Sequence, residues 1–86
     1  MAISKEQLVT AASLIESAST VREAAKAIRL QLPGIMATVV DPMDMRDETP
    51  TLKLTSAHLF LAVSDGHCWT MTRDPEQASA FILTEA

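Results

Sequence analysis

The sequence predicts an α+β fold, an N-terminal αα-hairpin packed on one face of a small antiparallel β-sheet, and three observations carry that prediction. Residues 1–34 hold two capping-box spacings, each leading into an apolar stripe of helical period. From Ile35 onward, runs rich in β-branched and aromatic residues replace that period. Asp65-Gly66 stands between two of those runs as a hairpin turn signal, since Gly at the second central position accepts the positive φ of a type I′ turn. The order ααβββ, short α, β groups helices with helices and strands with strands, which is the α+β arrangement.

The first helix is predicted over residues 5–17. Ser4 is its N-cap, Gln7 is at N3, and Leu8, Ala11, Ala12, Ile15 and Ala18 form one face. Thr20 and Glu23 repeat the box. Val21, Ala24, Ala25, Ile28 and Leu32 give a second stripe, and Pro33-Gly34 stops the helix. Ile35 to Val40 reads as the first strand, and residues 41–50, DPMDMRDETP, as a polar acidic loop between prolines. Leu52 and Leu54 alternate with Thr51, Lys53 and Thr55 as an edge strand or an extension of the hairpin, with a bend or bulge at Ser56-Ala57. Asp74 as N-cap, Pro75 at N1 and Gln77 at N3 specify a short helix. Phe81 to Thr84 reads as a closing strand, with a prolonged helix as the alternative. One domain, residues 1–86, is expected, divided into a helical hairpin (1–34) and a sheet with the acidic loop (35–86).

A two-residue turn at Asp65-Gly66 pairs Ser64 with His67, Val63 with Cys68, Ala62 with Trp69, Leu61 with Thr70 and Phe60 with Met71. Alternation then puts Leu59, Leu61, Val63 and Cys68 on one face, and Phe60, Ala62, Trp69 and Met71 on the other. Both faces are apolar, so the helices leave one of them in need of a second cover. Two covers are open: the C-terminal segment with Phe81 and Leu83, or a second copy or another protein. On the second reading Trp69, Phe60, Met71, Leu59 and Leu61 form the interaction surface, with Trp69 as its anchor. Met43 and Met45 join this set, because Met beside charge marks adaptable binding surfaces.

Composition bounds the remaining classes. At 86 residues, 48% hydrophobic and 21% charged, the chain is globular rather than disordered. Its size implies that roughly 60–65% of the unfolded surface is buried on folding. Four basic against three acidic residues give +1 over residues 1–34, and three against eight give −5 over 35–86. An acidic sheet half argues against nucleic acid as the partner, since phosphate affinity is built from Lys and Arg. Arg22, Lys26 and Arg29 share a helical face that suits a DNA-reading helix, an acidic protein surface or plain solvation. Cys68 is the only cysteine, so a disulfide-stapled secreted domain is excluded. No apolar run has the length of a membrane span, and MAISKEQL lacks the charge pattern of a signal peptide, so cytoplasmic residence without membrane partners is expected.

No catalytic, cofactor-binding or metal-ligating constellation emerges. Gly34 and Gly66 stand too far apart for a phosphate-cradling loop. His67 and Cys68, as strand neighbours, point to opposite faces, and Cys68 reads as a buried apolar residue. His58 lies roughly 20 Å from the turn at about 3.3 Å per residue. The acidic residues Asp41, Asp44, Asp47 and Glu48 do not follow the ligand spacing of an EF-hand loop.

The C-terminal run LFLAVSDGHCWTMTRDPEQASAFILTEA resembles a family of small proteins encoded among bacterial nitrogen-fixation genes. The resemblance rests on the Asp65-Gly66 turn, His67-Cys68, the step Thr72 to Glu76, Ala78 and the ending Leu83-Thr84-Glu85. It covers about a third of the chain, with the Leu32-Pro33-Gly34 junction and general pattern beyond it. The family's motifs are mostly turn and cap chemistry. Ser79-Ala80 stands where that family has a glycine-like break. The resemblance implies a nitrogen-fixation context and assigns no catalytic residue. The resulting expectation is a non-enzymatic accessory protein, a homodimer or the binder of a protein partner, acting in nitrogenase assembly or regulation. The alternatives are a small-ligand or metal-handling protein and a DNA-binding regulator using the second helix.

Overall fold

The computed structural model of the chain describes residues 2–64 and 68–86. Helix α1 spans Lys5–Ser17, and its capping box is complete. The Gln7 amide donates to Ser4 Oγ (3.1 Å) while the Ser4 amide donates to Gln7 Oε1 (2.8 Å). Ser4→Ala is expected to cost about 0.5–2 kcal/mol in urea unfolding, since it strips the acceptor from one orphan amide and the anchor from Gln7. Helix α2 spans Val21–Gln31, with the Glu23 amide donating to Thr20 Oγ1 (3.1 Å). Ala11 and Ile15 of α1 and Ala24, Ala25 and Ile28 of α2 are buried, as their stripes predict.

Five described strands form one mixed sheet: β1 (Met36–Val39), β2 (Leu52–Lys53), β3 (Ala57–Ser64), β4 (Trp69–Thr72) and β5 (Ala80–Glu85). The α+β class is as predicted, but the sheet is not purely antiparallel. The final segment is a strand, and it inserts between β1 and β3 at the sheet centre, parallel to β1 and antiparallel to β3. Residues 80–84 are all buried. A strand covered on both faces reads as a continuous apolar run, which is what Ala80 to Leu83 provides. The outer edge of β3 is shared, with β2 pairing to His58 and Leu59 and β4 pairing to Leu61 through Ser64.

Three local expectations are corrected. First, β3 and β4 pair Ser64 with Trp69, Val63 with Thr70, Ala62 with Met71 and Leu61 with Thr72, two residues beyond the predicted register. Val63 therefore faces Thr70 and not Cys68; the predicted Asp65-Gly66 turn and the pairing of Ser64 with His67 lie outside the described residues. Second, Cys68 is exposed and precedes β4, which begins at Trp69. Third, Asp74 to Gln77 makes a single turn instead of a short helix. The Asp74 carboxylate accepts from the Glu76 amide (3.0 Å) as a cap should. The chain is then drawn into the core at Ala78, and the Ser79 amide donates to Ala62 O (2.9 Å), so propagation stops.

The helices cover the face bearing Leu59, Leu61, Phe81, Leu83 and Ala37. On the other face a smaller cluster unites Phe60, Ala62, Ala80 and Ile82 with Met45, and Val40 and Met71 pack against it. The second cover is therefore the chain itself, but not the Phe81 and Leu83 segment, whose large side chains face the helices. It comes from the acidic loop, which starts as a 3-10 turn, Pro42–Met45, and drives Met45 onto the sheet. Alternation explains the choice: Phe81 and Leu83 share one side of β5, Ala80 and Ile82 the other.

Candidate functional site

The seven residues expected to form an interaction surface separate into three environments. Leu59 and Leu61 are fully buried under the helices, and Phe60 and Met45 are buried in the second cluster. These four serve the interior, a correction with a simple cause: each face found cover within the chain. Met71 is partly buried at the margin of the second cluster. Trp69 and Met43 remain accessible, at 42% and 64% exposure.

Sheet register adds a residue that sequence reasoning missed. Met36 pairs with Ala80, Ala80 with Ala62, and Ala62 with Met71, so these four side chains form one row across β1, β5, β3 and β4. At ~4.8 Å per strand the row is ~14 Å long. It is large at both ends and small in the middle. Met36 is 59% exposed at its β1 end. Trp69 is paired with Ser64 one pleat further along β4 from Met71, on the same face. Met43 stands on the 3-10 turn whose Met45 packs on this face. Met36 on β1 and Trp69 on β4 thus stand exposed on the same face of the sheet, and Met43 is exposed on the turn whose Met45 covers that face. The sequence signal for Met36 was its parity, opposite to Ala37 and Val39, and it pointed outward only once the sheet order was known.

Polar groups at the rim are local in their bonding. The Asp41 carboxylate accepts from the Met43 amide (2.8 Å) and so caps the 3-10 turn. Arg46 and Asp47 approach to 4.0 Å with both side chains largely in water, a pair worth little. The Ser64 amide donates to Ser79 Oγ (3.0 Å), tying the end of β3 to the approach to β5. Between β2 and β4, where β3 changes partner, an open notch of about 300 Å³ is lined by Glu48, Thr51, Phe60, Met71, Thr72 and Arg73, among others.

Among the described residues, no three His, Cys, Asp or Glu side chains come together as a metal-holding group. His58 is half-buried on β3, opposite Thr84, and Cys68 is exposed beyond the start of β4. Arg22, Lys26 and Arg29 are exposed along α2. No helix among the described residues is long and apolar enough to cross a membrane. No family model, curated protein or solved structure matches the chain.

Proposed function

We propose that the protein is a non-enzymatic accessory module that binds another protein through the rim formed by Met36, Met43 and Trp69, acting in the nitrogen-fixation setting that its C-terminal resemblance implies. The observation that carries this reading is the exposure of those three side chains, Met36 and Trp69 on one face of the sheet and Met43 on the turn that covers it. Large apolar groups gathered in one region of a small domain's surface favour a protein interface. Methionine adapts to different partner shapes, and Trp is the commonest interface anchor. Nitrogenase assembly or regulation is the step such a module would serve.

Photo-crosslinking from position 43 in nitrogen-fixing cells is expected to trap one discrete protein, either a second copy or a different chain. Trp69→Ala is expected to weaken that complex by at least about 2 kcal/mol, roughly thirtyfold, while thermal unfolding of the isolated protein changes little. An unchanged crosslinking pattern in Trp69→Ala combined with Met43→Asp would count decisively against this surface.

A further inference from the structure

Strand β1 stands at the end of the sheet order, on the opposite side from β4 and Trp69. In a parallel strand pair, alternate residues of one strand direct their peptide groups to the partner. Val40 donates its N–H to Leu83 O at 2.9 Å. The even-numbered residues of this stretch therefore turn their peptide groups toward β5, and Ala37 and Val39 turn theirs outward. Arg29 meets that edge directly, donating from Nε to Ala37 O at 3.0 Å in a part-buried position.

Helix α2 lays a row of cations along the same edge. Arg22 lines a cleft with Val39 and Val40, and Arg29 lines one with Ile35, Met36 and Ala37. Lys26 lies between them on the helix, on the same face. From Arg22 to Arg29 is about 10 Å of helix, against about 13 Å for the four residues of β1. These three cations stand beside the outward backbone of β1 in a chain of net charge −4, with Glu23 three residues before Lys26 on the same helix. At the Arg22 end Asp41 and Glu85 share the cleft and offset its positive charge. The cleft at the Arg29 end is lined by no acidic residue.

We infer that the β1 edge receives an extended acidic segment of a partner protein as an added strand, its carboxylates resting on Lys26 and Arg29. The segment's backbone bonds to the outward groups of Ala37 and Val39, and alternate side chains face α2. Arg29 Nε passes from Ala37 O to a carboxylate, which gives it a charged acceptor and releases the carbonyl for the incoming N–H. A second copy is the competing occupant: antiparallel pairing of two β1 strands would set the Arg29 end of each against the Arg22, Asp41 and Glu85 end of the other, and self-association through β1 is the outcome that would show it.

The test uses the full chain, 15N-labelled, and synthetic peptides alternating Val with Glu or Val with Lys. The Glu peptide is expected to give saturable amide shifts centred on Ala37 and Val39, and the Lys peptide none. Lys26→Glu combined with Arg29→Glu is expected to weaken binding at least about tenfold. N-methylation of alternate peptide amides, which leaves the protein untouched, is expected to abolish it, because an added strand needs those donors. Equal binding of the Lys peptide, undiminished binding of the N-methyl peptide, or self-association through β1 without peptide would overturn the inference. Shifts centred on β4 would do the same. Trp69→Ala is expected to leave peptide binding intact, which separates this edge from the rim.

Discussion

Phe81→Ala is expected to remove about 3–5 kcal/mol of stability, read as the shift in urea midpoint at constant slope. Phe81 is fully buried at the centre of the sheet, paired with Ala37 on one side and Leu61 on the other, and packed within the helix-facing cluster. Its removal leaves a cavity in the helix-facing cluster between β1 and β3, and neither strand can collapse into it without moving the other. A domain of this size has a total stability of about 4–13 kcal/mol, so the variant is expected to be largely unfolded near the lower end of that range. Leu30→Ala is the control: Leu30 is 73% exposed on α2, and its loss is expected to stay within about 0.5 kcal/mol. A Phe81→Ala shift as small as the control's would mean that β5 does not occupy the sheet centre.

Met45→Ala and Met43→Ala are expected to differ sharply although they sit two residues apart in one 3-10 turn. Met45 is 6% exposed against Phe60, Ala62 and Ile82, whereas Met43 is 64% exposed. Truncating Met45 is expected to cost about 2–5 kcal/mol, toward the lower end because a surface turn can settle inward. Truncating Met43 is expected to change stability by less than about 0.5 kcal/mol. Met45→Asp goes further, because a carboxylate pressed on Phe60, Ala62 and Ile82 is dehydrated and the segment must lift to hydrate it. Strong dye binding and faster amide exchange in β3 and β5, with helical circular dichroism retained, would report that opening. Equal effects at Met43 and Met45 would show that this turn does not cap the second face.

The contrast between these methionines shows where sequence reading reaches its limit. As sequence, both sit in DPMDMRDETP, and charge and proline content mark the whole stretch as a loop. Only the apolar back of the sheet distinguishes them. Met45 is drawn inward because Phe60 and Ile82 need cover and the Asp41 cap fixes the 3-10 turn that aims it. The expected interaction surface changed for the same reason: with Met45 as a lid, Phe60 is interior, and what stays accessible is the rim of Met36, Met43 and Trp69.

The hairpin shows a different limit. A slip of one residue would move every side chain to the wrong face, and the apolar pattern would resist it. A slip of two leaves Phe60, Ala62, Trp69 and Met71 together and Leu59 with Leu61, so the pattern is blind to it. The face assignment was therefore legible while the register was not, and the exposure of Cys68 followed from the register.

By itself the sequence determined what local physics controls. That comprises both helices with their caps, the positions of the long strands, and the two-sided apolar character of the sheet. Those features depend on hydrogen bonds and side-chain periods within a few residues of one another. The tertiary structure alone decided the central, parallel placement of β5, the use of Met45 as the second cover, and the lie of the α2 cations beside the open edge of β1. Each of these is a choice among partners far apart in the chain, settled by which apolar faces remain to be buried once the helices have taken theirs.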